Sequence, residues 1–170
     1  MRKLFRSFEC WLKQLNLFYF VIIILLLTYL AAILAGLIII LLDIEDIVWS
    51  TRDFGDFGKI ILTSLSAIII APPLETLIFQ YIPTDLLSEK PFFKKRPYLL
   101  VLISAFCFGL VHSYFSPGYA IFAFTLGLVL MWGCVIRYKA KKQAFIATWL
   151  VHLIRNVIAM SISIYKIYLA

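Results

Sequence analysis

Between Leu17 and Leu42 the sequence carries no charged residue. No other feature restricts the fold so strongly. A run this long fills the roughly 30 Å hydrocarbon core of a bilayer when it is helical. Water is absent there, so each backbone N–H and C=O must be satisfied within the segment, which a helix achieves. Comparable runs recur at Ile60–Ile82, Tyr98–Phe115, Tyr119–Ile136 and Ala144 to about Ile164. The chain of 170 residues is 64% hydrophobic with a mean hydropathy of +0.99. It therefore reads as an all-α, polytopic membrane helix bundle of about five transmembrane helices. The length leaves no room for a separate soluble domain.

The charges sit between the runs. Residues 1–16 carry Arg2, Lys3, Arg6 and Lys13 against Glu9. Phe5, Phe8, Trp11, Leu12 and Leu15 recur there at helical spacing, which fits a helix lying at the interface; a disordered basic tail is the other reading. Residues 17–42 form an additional anchor, too long to be the core of a cleaved signal peptide. Residues 43–58 are acidic, with Asp43, Glu45, Asp46, Asp53 and Asp56. The 83–97 loop holds Lys90, Lys94, Lys95 and Arg96, and Arg137, Lys139, Lys141 and Lys142 follow the fourth run. Ser116-Pro117-Gly118 reads as a tight, uncharged turn. Five alternating spans put every basic segment on one side, so the N-terminus is expected in the cytoplasm of a multi-pass cell-membrane protein. Topology thus accounts for the net charge of +7. No aromatic–basic interleaving suggests nucleic-acid binding. Cys10, Cys107 and Cys134 show no metal or redox spacing.

Four ionisable residues interrupt the apolar runs: Glu75, His112, His152 and Arg155. Asn156 adds a polar group one turn after His152. Charge within hydrocarbon costs at least roughly 2.5 kcal/mol, so such residues are kept for a partner or a task. At 1.5 Å of rise per residue, Glu75 and His152 lie about 10 and 12 Å from the cytoplasmic ends of their helices, and Asn156 and His112 about 18 and 20 Å. His152, Arg155 and Asn156 share a helix face by their i, i+3, i+4 spacing. Pro72 and Pro73 predict a kink or break just before Glu75, which would place the carboxylate in the first turn of a new half-helix, near free amides. Gly109, Gly127 and Gly133 suit close helix packing. A structural ion pair between Glu75 and Arg155 is the plainest reading of the two charges.

The polar residues fall into three motifs: Glu75-Thr76 with Gln80, Phe108-x-x-x-His112 and His152-x-x-x-Asn156. In order and spacing they resemble the CPBP family, which comprises CAAX prenyl proteases of the second type and bacteriocin-processing or immunity proteins. The resemblance covers roughly residues 60–165, within a core assigned to residues 58–167. The family's first motif is Glu-Glu-x-x-x-Arg; here Thr76 and Gln80 replace its second glutamate and its arginine.

The resemblance implies a glutamate-type intramembrane endopeptidase. Glu75, assisted by His112, would activate water, and His152 and Asn156 would hydrogen-bond the oxyanion. No cofactor or metal is implied. The implied partners are a peptide or protein substrate at the membrane and the lipid bilayer, with no nucleic acid; no oligomeric state follows. A cytoplasm-facing cavity would admit the water. Two other readings stay open. Glu75, His112 and His152 could together ligate zinc, although no His-Glu-x-x-His motif is present. Alternatively, the altered Thr76 and Gln80 could mark a non-catalytic immunity or partner-binding protein.

Overall fold

The computed structural model describes residues 2–44 and 62–168, and all regular structure among them is helical. The helices are α1 (Arg2–Gln14), α2 (Leu17–Leu41), α3 (Leu62–Leu87), α4 (Pro91–Lys95), α5 (Pro97–His112), α6 (Pro117–Lys139) and α7 (Ala144–Tyr168). Four of them, α2, α3, α6 and α7, are long and apolar enough to cross a membrane; α5 is apolar but shorter. The chain is a polytopic helical membrane bundle. Beyond Ile44, the expected acidic 43–58 loop lies outside the described residues.

The N-terminal segment is helical over Arg2–Gln14 and packs against the bundle. Leu12 is fully buried, Phe8 stacks on Trp132 of α6, and the Trp132 indole N–H donates to Glu9 at 3.1 Å. The carbonyl of Leu15, just past the end of α1, accepts from Arg137 Nη1 and from Lys142 Nζ, each at 3.0 Å. Cations at a helix C-terminus satisfy its orphan carbonyls and complement its dipole. The Asn16 side chain then caps α2 by accepting from the Tyr19 N–H.

Helix α2 is apolar on every side, yet it buries Phe20 and a single stripe beside it, Val21, Ile24, Thr28, Ala31 and Ala35. The alternating three- and four-residue steps are those of a coiled-coil seam. Helix α6 supplies much of the core, including Leu126, Leu130, Met131 and Cys134. A Cβ on Gly109 of α5 would come within 2.8 Å of Phe124 Cβ, and one on Gly127 within 3.2 Å of Ala105 Cα. These two glycines therefore set the approach of α5 to α6, which fixes where Phe108 and His112 stand. At Gly133 the nearest atom is 3.5 Å away, ordinary contact, so that glycine is not demanded by packing.

Two expected boundaries move. The predicted turn at 116–118 lies earlier, over 113–116, because the Ser116 side chain caps the next helix by accepting from the Tyr119 N–H, and Pro117 occupies its first position. Helix α5 accordingly stops at His112 instead of running to Phe115.

The larger correction is at Pro72-Pro73. Helix α3 is continuous through them. Wide π turns precede the prolines, over Ser66–Ile70, and recur over Thr76–Tyr81 before Pro83. In the first, the Ala71 N–H reaches back five residues to the Ser66 carbonyl. The next residue, Pro72, has no N–H, which leaves the Ala67 carbonyl without a helical donor. Asn156 Nδ2 of α7 fills that role at 2.8 Å. Near the second π turn the register differs by one: Ile82 bonds back to Leu77, Pro83 offers no N–H to the carbonyl four residues before it, that of Phe79, and the Ser104 hydroxyl of α5 donates to that carbonyl. Such local π adjustments and borrowed side-chain donors let prolines persist in membrane helices without a break. Glu75 thus sits within a continuous helix, between two π turns, and not at a new N-terminus.

Candidate active site

Three helices bring the predicted residues together. Glu75 is on α3, His112 is the last residue of α5, and His152 and Asn156 are on α7. His152 Nε2 lies 3.4 Å from Glu75 Oε2, and His112 Nε2 lies 3.8 Å from Glu75 Oε1. The two imidazoles therefore flank one carboxylate. Their side chains are 3% and 10% exposed, against 25% for Glu75, so the carboxylate keeps the most access.

Each ring is held from behind. His112 Nδ1–H donates to the Phe108 carbonyl at 2.7 Å, one turn back along α5. In this tautomer Nε2 presents a lone pair towards Glu75. His152 Nδ1 lies 3.5 Å from the hydroxyl of Thr76. If that hydroxyl donates, Nε2 carries the proton and points it at Glu75. Phe108 packs against both rings, with centroids 4.5 Å from His112 and 6.0 Å from His152. The phenylalanine of the second motif is thereby explained as the wedge between the histidines.

Glu75, His112 and His152 line a cavity of about 550 Å³, together with Arg155 and Asn156. Its wall extends through Ala67 and Ser66 to Leu62, and through Phe115 to Tyr119. Those residues belong to the end of the bundle opposite α1 and the basic segments. The expected cavity facing the basic end is therefore corrected. In the half opposite that end, α5 ends at His112 and α3 carries its π turn over Ser66–Ile70.

Arg155 is not the partner of Glu75: no ion pair joins them among the described residues. Its guanidinium lies instead over the Phe122 ring, 4.6 Å from the centroid. Asn156 reaches the cavity while its amide is engaged with Ala67. Gln80 is fully buried, and neither its amide nitrogen nor its oxygen has a hydrogen-bond partner. Among the described residues no three His, Cys, Asp or Glu side chains are gathered to hold a metal ion.

Sequence reasoning missed two members of the site. Thr76 registers in the sequence only as a departure from a motif, although its position beside Glu75 is the signal. Phe122 belongs to a long apolar run, and no sequence signal marks it.

Fold and site together define a multi-pass helical membrane protein with one carboxylate between two imidazoles on a cavity wall. The chain belongs to the Rce1-like family: the family model described as type II CAAX prenyl endopeptidase Rce1-like matches residues 57–158, more than half of the sequence. That range holds all three motifs and leaves α1 and α2 outside it. No curated protein and no solved structure matches the chain.

Proposed function

We propose that the chain is an intramembrane endopeptidase of glutamate type, which hydrolyses a peptide bond of a membrane-associated protein or peptide. The observation that carries this is the Glu75 carboxylate held between His112 and His152 on a cavity wall. The Glu75 oxygen and His112 Nε2, at 3.8 Å, are too far apart for a direct hydrogen bond. Both can accept from one water on the cavity side. That water is the nucleophile: Glu75 takes its proton as it attacks the scissile carbonyl, and His112 orients it. A positioned general base contributes about 10²–10⁴-fold. With its Nε2 protonated, His152 turns that hydrogen from Glu75 to the developing oxyanion as the carboxylate takes up the water's proton, an interaction of a kind worth about 10²–10³-fold. Asn156 has a second amide hydrogen beyond the one given to Ala67, which is available to the same oxygen. The proposed setting is the cell membrane, with the N-terminus in the cytoplasm and no nucleic-acid partner.

One observation favours a non-catalytic, partner-binding reading: Thr76 and Gln80 lack the charges of the family's first motif. Against it, Thr76 still reaches His152 Nδ1. Glu75→Gln separates the two. The glutamine is nearly isosteric but cannot accept the proton. The expected result is a protein that melts as the wild type does in detergent and cleaves a candidate substrate about 10²–10⁴-fold more slowly, with a similar loss in His112→Ala. Wild-type activity is expected to survive strong chelators. A folded Glu75→Gln protein that cleaves at the wild-type rate would remove the catalytic assignment.

A further inference from the structure

A second cavity, of about 670 Å³, lies at the basic end of the bundle, where α6 ends and α7 begins. Lys139, Lys141 and Lys142 line it, with Tyr81 of α3, Tyr138 of α6 and Phe145 of α7. The peptidase mechanism uses none of them. Among the described residues no ion pair joins any of the three lysines to a carboxylate. Glu89 is the acid on the wall, and Lys94 already pairs with it at 3.0 Å. Asp85 stands one step away, accepting from the Tyr138 hydroxyl at 2.8 Å. Lys142 Nζ donates to the carbonyls of Gln14 and Leu15, which engage its hydrogens and leave its charge in place.

Topology asks only for positive charge somewhere after α6. The local conformation is more particular. The Lys142 N–H bonds back to the Arg137 carbonyl at 3.0 Å, and the Lys141 N–H to that of Tyr138 at 2.9 Å. This is a Schellman closure, and Lys141 occupies its left-handed position with a φ of 53°, where glycine is the usual residue. A lysine is strained there, and a topogenic charge could sit one residue away without the strain. The same wall carries the start of α7, which has no acidic residue in its first turn. The first N–H to bond within that helix is that of Ala147, to Gln143 at 3.0 Å. The N–H groups of Ala144, Phe145 and Ile146 therefore have no helical acceptor. Three ammonium groups and the positive end of a helix dipole border one space, a combination suited to phosphate.

We propose that this cavity holds the phosphate of a lipid with net negative charge, in the leaflet at the basic end. Basic pockets between membrane helices suit acidic headgroups. A zwitterionic headgroup would bring its own cation against the three lysines. A free phosphate would meet the same donors but make no use of the apolar part of the wall. That part is formed by Phe145, whose ring meets Tyr81 edge-on at 5.8 Å, and by Ile146, 43% exposed. Both stand where α7 leaves the basic end for hydrocarbon, the level at which aromatic rings gather in membranes. Lys142 faces the phosphate while it holds the end of α1, so the lipid bears on the junction of α1, α6 and α7.

The test uses full-length protein in dodecyl maltoside at about 0.15 M salt, where exposed charges are screened beyond roughly 8 Å. It is titrated with dioleoyl phosphatidylglycerol, with dioleoyl phosphatidylcholine and with inorganic phosphate. Binding is read by thermal shift and native mass spectrometry. Phosphatidylglycerol is expected to bind about 10-fold or more tightly than phosphatidylcholine, since each lysine near the headgroup contributes about fivefold. Inorganic phosphate at the same concentration is expected to give no shift. Lys141→Gly removes the strain and the charge together. It is expected to melt no lower than the wild type without lipid, yet to bind phosphatidylglycerol about fivefold more weakly. Lys139→Gln weakens binding similarly, whereas Lys95→Gln, at the same end but off the cavity wall, leaves it within about twofold. Equal binding of the two lipids overturns the proposal, as does a shift with inorganic phosphate as large as that with phosphatidylglycerol. Unchanged binding in Lys141→Gly, or an equal loss in Lys95→Gln, also overturns it, because the attraction would then belong to the whole basic face. The wild-type comparison of the three probes decides the matter even if Lys139→Gln does not fold.

Discussion

At the scale of single residues, Thr76 and Gln80 behave differently although both replace charged members of the family motif. Thr76 is buried beside His152, with its hydroxyl 3.5 Å from Nδ1. When that hydroxyl donates to Nδ1, the proton of His152 is on Nε2, facing the carboxylate, and no second negative charge is added next to Glu75. Thr76→Val keeps the shape and removes the hydroxyl. It is expected to lower kcat about fivefold, in line with one hydrogen bond of about 1 kcal/mol, with KM little changed and with Thr76→Ser restoring the rate. Steady-state cleavage of one substrate by the three proteins checks this. Gln80 has no such contact. Its amide is fully buried and unpaired, and leaving a buried polar group unsatisfied costs about 1–3 kcal/mol. Gln80→Leu, close in volume, is therefore expected to raise the melting temperature and leave the cleavage rate within about twofold. A lower melting temperature would mean that the amide is satisfied after all.

At the scale of the element, α3 depends on α7 for its integrity. Pro72 removes the donor that would serve the Ala67 carbonyl, and Asn156 replaces it at 2.8 Å. Asn156→Ala is accordingly expected to destabilise the protein by about 1–3 kcal/mol through the orphaned carbonyl, apart from any effect on the reaction. Pro72→Ala restores an N–H at that position. The cost of Asn156→Ala should then shrink in the Pro72→Ala background, and the coupling should appear in a double-mutant cycle read by thermal or chemical denaturation. Strict additivity would show that the side-chain amide does not serve the broken helix ladder. The same pairing locks the height of α3 against α7, which sets Glu75 level with His152.

At the scale of the whole molecule, the position of the cavity and the direction of the charges meet. Helix α1 and the basic segments share one end: Lys142 bonds to Gln14 and Leu15, and Phe5 packs on Tyr98. The cavity extends toward the other end. In the proposed orientation, with the basic end in the cytoplasm, the cavity lining extends into the outer half of the membrane. Tyr114, 90% exposed in the turn after α5, marks that outer end, and the native Cys10, exposed on α1, marks the inner one. In intact cells an impermeant thiol reagent is expected to label Tyr114→Cys, while Cys10 and Lys95→Cys react only after permeabilisation. The reverse pattern would invert the topology and put the cavity mouth on the cytoplasmic side.

The sequence by itself determined the helical membrane class, the approximate spans, and the short set of residues that converge. It could do so because apolar length and intramembrane charge are costly enough to be unambiguous one residue at a time. The tertiary structure decided what depends on which atoms meet across helices. Lipid-facing and core-facing residues of α2 are equally apolar, so no periodicity revealed its buried stripe. Pro72 and Pro73 signalled a lost donor, but whether the helix broke or widened depended on Asn156, on another helix, reaching to 2.8 Å from the orphaned carbonyl. Arg155 was legible as a buried cation. That it rests on Phe122 and leaves Glu75 to the two histidines followed only from the packing of α6 against α7.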